Sequence, residues 1–303
     1  MTEFDFDEVP DMSGAVAVVT GAKVGLGFET TIGLTKKNIT VIMACRDLQK
    51  AQSAKSLILA RVPNAKLDII KLDLSSFASV REFVSTVLST YDRLDLLINN
   101  AGIMIPEFDL TEDNLESQMG VNYFGHFLLT NLLMPLIKKQ PHSRIVSVSS
   151  IAHEKGAIDF DNLNSEISYK KFDAYRQSKL ACLMFAYELQ RHIDFVGGSV
   201  VSVAAHPGVT NTNLARHIPR FLYYALLPLT APFRHSVQRA VQPILMAALA
   251  PNVNGGEYFG PKGLRGMKGL PGKITSKPHS YNKEVAEKLW EESELITGEI
   301  FMV

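Results

Sequence analysis

This 303-residue chain has no excess of charge of either sign: lysine and arginine number 31, and so do aspartate and glutamate. No net field therefore draws it to nucleic acid, and no nucleic-acid partner is expected. Cysteine is scarce, with Cys45 and Cys182 alone in the sequence. One closes an apolar run and the other lies inside a helical one, so both read as small core residues that suit a reducing compartment. There is no His-Glu-x-x-His and no cysteine cluster, so no metal site is expected. Repeats, low-complexity tracts and long blocks of like charge are missing too. No apolar run approaches the roughly 20 residues needed to cross a bilayer. The opening MTEFDFDEVPD is acidic and lacks a signal-peptide core. These absences point to a cytoplasmic globular protein.

What is present is a rhythm. AVAVVT (Ala15 to Thr20) is a β-branched apolar run of the kind that forms a buried parallel strand. It leads into TGAKVGLG, with Gly21, Lys23, Gly25, Leu26 and Gly27, and then into FETTIGLTKKN, which has helical spacing. Strand, glycine turn and helix in that order allow backbone amides and a helix N-terminus to hold a pyrophosphate; the bland alternative is an ordinary glycine-rich turn. The next strand, ITVIMAC (Ile39 to Cys45), ends on Arg46. An acidic residue at this point would accept from a free ribose 2′-hydroxyl, whereas an arginine pairs with a 2′-phosphate. Arg46 has the fork geometry for phosphate, and Lys23 adds a second cation, so NADP is favoured over NAD. Asp47 is discordant and reads as the N-cap of the helix DLQKAQSAKSLILARV.

The alternation continues through a strand ending at Asp73, a helix opened by Ser75 or Ser76, and the strand LDLLINNAG with Asn99, Asn100, Ala101 and Gly102. A long helix over roughly 114–139, the strand RIVSVSS, another helix and the strand SVVSVAAHPG follow. Regular alternation predicts an α/β fold: one doubly wound Rossmann domain over 1–303, with a mainly parallel central sheet and helices on both faces. Ligands of such sheets sit at the carboxyl ends of the strands. The polar and glycine clusters all fall there. The tail NKEVAEKLWEESELIT predicts a last helix over about 282–297, capped by Asn282 and docked on the core through Leu289 and Trp290.

Tyr175 and Lys179 stand four residues apart in AYRQSKLACLMFAYELQ, so they share one helix face. A free tyrosine titrates near about 10. A fixed cation nearby favours the phenolate and makes the phenol a proton donor and acceptor closer to working pH. Alone, the spacing also fits a solvated surface pair.

Taken in order, TGAKVGLG, LINNAG, Asn122 in GVNYFGHF, the pair Ser149–Ser150, YRQSK and HPGVTNT resemble the short-chain dehydrogenase/reductase family over nearly the whole chain. ACRD and the stretch of about 25 residues between Ser150 and Tyr175 resemble its retinol-dehydrogenase-like branch. The resemblance implies an NADP-dependent oxidoreductase acting on a small-molecule carbonyl or alcohol. Tyr175 would be the catalytic acid or base. Lys179 would lower its pKa and hold the nicotinamide ribose, and Ser150 would bond the substrate oxygen. Asn122 would anchor a water linking Lys179 to solvent. Asp73 and Leu74 match the pair beside the adenine. Asn99, Ala101 and Gly102 match the cofactor wall, and Pro207, Gly208, Thr210 and Thr212 the segment beside the carboxamide. Dimers or tetramers through the two long helices are also implied. Two features depart from close relatives: Lys23 and Val24 replace small polar residues, and Ala181 stands where light-dependent protochlorophyllide reductases carry a cysteine, which argues against that activity. The other reading from a different class is a non-catalytic NADP-binding sensor or scaffold on the same fold.

Two segments, about 151–174 and 213–235, are expected to cover the substrate. In the second, FLYYALLPLTAPF (Phe221 to Phe233) is apolar all round and flanked by Arg216, Arg220 and Arg234. It fits a lid over a lipophilic or aromatic substrate of retinoid, steroid or xenobiotic type, an interface helix, or a peripheral membrane contact. His206 reads as a strand-end structural residue. His153, three past Ser150, reads as a loop histidine within reach of substrate. GPKGLRGMKGLPGK (Gly260 to Lys273) reads as a glycine-rich basic connection.

Overall fold

Strand residues two apart point to the same side of a sheet, and the strands of this chain are apolar at nearly every position, so both sides must be covered. The computed structural model, which describes residues 4–209, 236–263 and 266–303, meets that demand with an eight-stranded sheet between helical layers. The first half runs β1 (Val16–Thr20), α1 (Gly25–Thr35), β2 (Thr40–Cys45), α2 (Leu48–Arg61), β3 (Leu67–Lys71), α3 (Phe77–Thr90) and β4 (Leu96–Asn99). A long helix follows in three parts: α4 (Ser117–Met119), a π turn (Gly120–Phe124) and α5 (Gly125–Ile137). Then come β5 (Arg144–Val148), α6 (Lys171–Phe195), β6 (Val201–Ala205), α7 (Val237–Ala240), α8 (Gln242–Leu249), β7 (Tyr258–Pro261), β8 (Pro271–Ile274) and α9 (Lys283–Thr297).

The strand order is β3-β2-β1-β4-β5-β6-β7-β8, parallel from β3 to β7. The chain leaves β1 outward in one direction to β2 and β3, then returns to place β4 on the other side. That reversal between β1 and β4 opens a crevice at the carboxyl ends of the strands. Alternation sorts the core into two layers. Val16, Val18, Ile42, Leu97 and Ile145 pack with Phe83 of α3, Phe127 of α5 and Phe185 of α6. Ala17, Val19, Val41, Leu96, Ile98 and Val146 pack with Leu34 of α1, Ile58 of α2 and Ile244 of α8.

Local chemistry sets the helix starts. Asp47 is the N-cap of α2, accepting from the Lys50 amide at 3.0 Å, which accounts for its charge beside Arg46. Ser76 caps α3 and Asn282 caps α9. The long helix starts later than the sequence suggests because the buried carboxylate of Glu116 caps it, accepting from the Gln118 and Met119 amides at 2.8 and 2.9 Å. Burial raises the pKa of that carboxyl.

The stretch from Gly260 to Lys273 also differs from expectation. The ends of Gly260 to Lys273 belong to β7 and β8, which pair antiparallel from Tyr258↔Ile274 to Pro261↔Pro271. Glycine and proline mask these four-residue strands, and pairing with β6 makes them. An aromatic face shared by α5 and α6 is covered by the chain's own last helix and the residues after it. Trp290 meets Phe127 at 5.2 Å and Phe185 at 5.9 Å, and Phe301 meets Phe127 at 5.3 Å.

Phe127 is fully buried at the centre of this cluster. Phe127→Ala is expected to lower the unfolding free energy by about 3–5 kcal/mol, measured by urea denaturation. A loss under about 1 kcal/mol would show that the α5–α9 contact does not hold the layer together.

Candidate active site

The glycine turn between β1 and α1 has Gly21 at φ 68° and Gly25 at φ 61°, the left-handed region that suits glycine. A Cβ at Gly27 would lie 2.6 Å from both the Asn100 amide nitrogen and the Gly21 carbonyl oxygen, so the turn closes only without one. Val24, the α1 N-cap, makes no side-chain capping bond, and the first turn carries no acid. The first amides of α1 are therefore available to an anion, as a dinucleotide pyrophosphate requires. Leu26 is buried beneath them. Lys23 is half-buried close to Cys45, whose thiol burial pushes up to about 11 against the pull of the Lys23 charge. The Arg46 side chain is 63% exposed and only loosely held, with its guanidinium 3.7 Å from Asp73. Arg46 and Asp73 thus meet beyond the ends of β2 and β3, with the Lys23 charge acting on Cys45 from the glycine turn. Asp73 is oriented by Ser75, whose hydroxyl donates to it at 2.6 Å.

Two expected cofactor residues sit differently from their neighbours. The Leu74 side chain belongs to the core, and its carbonyl lies so close to α5 that a Cβ on Gly125 would come within 2.6 Å of it. Asn99 follows Leu97 onto the helix side of β4, where its amide donates to Thr130 at 2.9 Å; its side chain is buried away from the crevice. The neighbour Asn100, which the sequence reading did not single out as a site residue, closes the glycine turn by donating to the Thr20 carbonyl at 2.8 Å. The other positions of β4 are all apolar and buried, so the alternation that separates the two asparagines has no phase legible in the sequence.

Beyond β4 the chain is tied down by Thr20. Its hydroxyl accepts from the Asn100 and Ala101 amides, both at 2.9 Å, and meets His126 Nε2 at 2.9 Å. His126 Nδ1 lies 3.0 Å from the Asn122 carbonyl. A carbonyl can only accept, so the imidazole proton sits on Nδ1 and Nε2 accepts from Thr20. Asn122, in the π turn, grips the following loop: its Oδ1 accepts from the Ile103 amide at 2.8 Å and its Nδ2 donates to the Ile103 carbonyl at 3.0 Å. Its carbonyl also accepts from the Cys182 thiol at 3.1 Å.

Tyr175 and Lys179 are both buried, one turn apart on α6. The Lys179 amine donates to the Val148 carbonyl at the end of β5, at 3.1 Å. A Cβ on Gly102 would lie 3.4 Å from that amine and 3.0 Å from Asn122 Oδ1, so the glycine lets the loop run beside both. Ser149 points inward and donates to the Lys179 carbonyl at 2.7 Å. Ser150 alternates outward and caps a 3₁₀ turn (Ile151–Lys155), its Oγ accepting from the Ala152 amide at 3.2 Å. That bond occupies a lone pair and leaves the hydroxyl hydrogen free to donate. Pro207 and Gly208 follow β6, with the Gly208 amide donating to His206 Nδ1 at 3.2 Å. His206 is buried, as its structural reading requires. The β7–β8 connection touches this segment, since the Val209 amide donates to the Met267 carbonyl at 3.0 Å. Thr210, Thr212 and the 213–235 segment lie outside the described residues.

In the 151–174 segment, Gln118 donates to the Tyr169 hydroxyl at 3.1 Å and to the Lys171 carbonyl at 3.0 Å, fixing the start of α6. A groove of about 510 Å³ opens there, lined by residues that include Tyr169, Phe172 and Arg176. No cluster of His, Cys, Asp or Glu among the described residues could hold a metal ion. No helix among them is long and apolar enough to cross a membrane.

Known proteins resemble this chain in sequence and in fold. The short chain dehydrogenase family pattern matches residues 15–221. The chain is 40% identical to retinol dehydrogenase 13 of Mus musculus over 94% of its length and 84% of the relative's. It is also 40% identical to retinol dehydrogenase 14 of Homo sapiens, over 95% of its length and 87% of that protein's. Among solved structures, an uncharacterized protein from Mycobacterium paratuberculosis superposes with TM-score 0.83 at 35% identity, covering 100% of both chains. The Pseudomonas aeruginosa RhlG/NADP active-site complex shares the fold at TM-score 0.64 and 23% identity, over 82% of this chain and 94% of its own.

Burial lowers the His126 pKa from the ordinary 6.5 to about 4 and that of His206 to about 3. The folded protein therefore keeps both neutral while the unfolded chain takes up protons. Stability is expected to be level above pH 6.5 with respect to these groups and to fall as the pH drops from 6.5 toward 4. Urea midpoints across that range should decline less steeply for His126→Gln than for the parent; equal slopes would refute the assignment.

Proposed function

The chain belongs to the short-chain dehydrogenase family and is an oxidoreductase, and within that family we propose that it interconverts a carbonyl and an alcohol using NADP(H). The observation that carries the reading is a convergence at the carboxyl ends of β4 and β5. There the Lys179 amine reaches the Val148 carbonyl beside the Gly102 loop held by Asn122, with Ser150 two residues beyond Val148 and Tyr175 one turn before Lys179 on α6.

NADP, when bound, supplies the hydride to the substrate carbon or takes it up. The residues do the rest. The Tyr175 hydroxyl gives a proton to the carbonyl oxygen in reduction, or takes one from the alcohol in oxidation. The Ser150 hydroxyl, its lone pair engaged by the Ala152 amide, donates to the same oxygen as negative charge develops there. Lys179 holds the ribose hydroxyls and sets a positive charge beside Tyr175. Asn122 braces the loop that carries Ala101 and Gly102. The uncapped start of α1 takes the pyrophosphate, and Arg46 with Lys23 takes the 2′-phosphate.

A lipophilic substrate is supported by the similarity to retinol dehydrogenases. The groove at the start of α6 is of mixed character, with Tyr169 and Phe172 beside Glu107, Lys170, Lys171, Asp173 and Arg176. The retinol dehydrogenases the chain resembles make retinoids the first class to assay.

Tyr175→Phe is expected to lower turnover by about 10²–10⁴-fold while NADPH binding persists. Spectrophotometric NADPH consumption with a panel of retinoid, steroid and aromatic carbonyls, alongside calorimetric titration of NADPH, checks both parts. Turnover that survives would remove Tyr175 from the chemistry; a non-catalytic nucleotide binder would show no turnover with any of them even in the parent. Arg46→Asp should shift the kcat/KM preference from NADP toward NAD, and an unchanged ratio would exclude the 2′-phosphate contact.

A further inference from the structure

Ser150 can donate usefully only if its backbone is held so that the hydroxyl faces the reacting oxygen. The hold comes from an unexpected residue. His153, three positions on, is buried rather than facing a substrate space, and its Nδ1 lies 2.6 Å from the Ser150 carbonyl. The same carbonyl accepts from the His153 amide at 3.1 Å. Both of its lone pairs are thus engaged by one residue, which closes the 3₁₀ turn from side chain and backbone together.

The partners fix the ring's proton. The Ser150 carbonyl can only accept, so Nδ1 carries the hydrogen. The Tyr258 hydroxyl approaches Nδ1 at 3.5 Å, too far to compete. Burial lowers the pKa of His153, in keeping with a neutral ring. Nε2 is then a bare acceptor, and it is buried with no partner among the described residues. An unpaired buried acceptor is destabilising, so packing alone does not account for an imidazole here. Apolar side chains would fill the space without that cost.

The ring is itself immobilised. Tyr258 of β7 meets it edge-on at 5.6 Å, and His279 Nε2 lies 3.0 Å from the His153 carbonyl. At the far end of the turn, a Cβ on Gly156 would come within 2.6 Å of the Arg176 carbonyl, so the turn lies flat against α6 beside Tyr175.

We propose that His153 is a positioning residue for the reaction: its Nδ1–H grips the Ser150 carbonyl and thereby aims the Ser150 hydroxyl at the substrate oxygen. This rests on the reading of Ser150 as the group that donates to that oxygen. It assigns His153 no contact with substrate or cofactor.

Two measurements test it. Nitrogen-15 NMR of the histidine rings in the intact protein should show His153 neutral and protonated on Nδ1; protonation on Nε2 alone would overturn the proposal whatever the activity. The second is a double-mutant cycle on kcat with NADPH and the most active carbonyl of the panel. His153→Ala is expected to lower kcat by about 10²-fold with KM little changed. His153→Asn, whose amide nitrogen reaches about the Nδ1 position, should restore most of the loss, whereas His153→Gln should not. In a Ser150→Ala background, His153→Ala should cost nothing further. If Ser150→Ala alone leaves kcat intact, the reading of Ser150 fails. If Ser150→Ala lowers kcat and His153→Ala still costs its full factor on top, Ser150 stands and the positioning role falls.

Discussion

The hydroxyl of Thr20 is the point on which this site is built. It lies at the end of β1, where the sheet reverses direction, and two amides of the chain leaving β4 converge on it. On its other side it meets the imidazole of His126, which in turn holds the carbonyl of Asn122. One buried oxygen therefore sets the distance between the glycine turn, the Ala101–Gly102 loop and the long helix. Burial, with the Lys179 charge adding to it, keeps this ring neutral, and a charged imidazole would besides carry a second N–H aimed at an oxygen that already accepts twice.

The opposite wall obeys the same rule. Ser149 and Ser150 are adjacent, so strand alternation sends one inward and the other out. Ser149 fixes α6 through the Lys179 carbonyl, and Ser150 is left at the crevice. Lys179 spans the gap in the other direction, from α6 to the end of β5. Lys179 and Asn122 are anchored to elements distant in sequence, whereas Ser150 is held within its own 3₁₀ turn; the Lys179 bonds are buried, where they are least exchangeable with water. The π turn belongs to this arrangement, since it carries Asn122 in the middle of a helix whose remaining turns are core.

Glycines serve the same geometry by what they omit. At Gly27, Gly102 and Gly125 a single Cβ would intrude on Asn100, Asn122 or the Leu74 backbone. The composition of those loops is therefore a record of close approach. Histidines do the complementary work, since His126, His153 and His206 each tie a backbone or hydroxyl group at the end of a strand or turn. None of the three is on the surface.

The sequence by itself determined the alternating elements, the caps Asp47 and Asn282, the glycine turn, and the sharing of one helix face by Tyr175 and Lys179. All of these follow from local periodicity, backbone sterics and hydrogen bonding within a few residues. Only the tertiary structure decided that Asn100 rather than Asn99 meets the glycine turn, that His153 grips Ser150 instead of facing a ligand, that the glycine-rich stretch near the end adds β7 and β8, and that α9 covers α5 and α6. The His153–Ser150 bond is local, although Tyr258 packs on that ring from 105 residues away; the other outcomes depend on partners well beyond the local sequence. The phase of a strand's alternation, the proton on a buried ring and the pairing of a four-residue strand are fixed by the surface each one meets, and no local pattern encodes that surface.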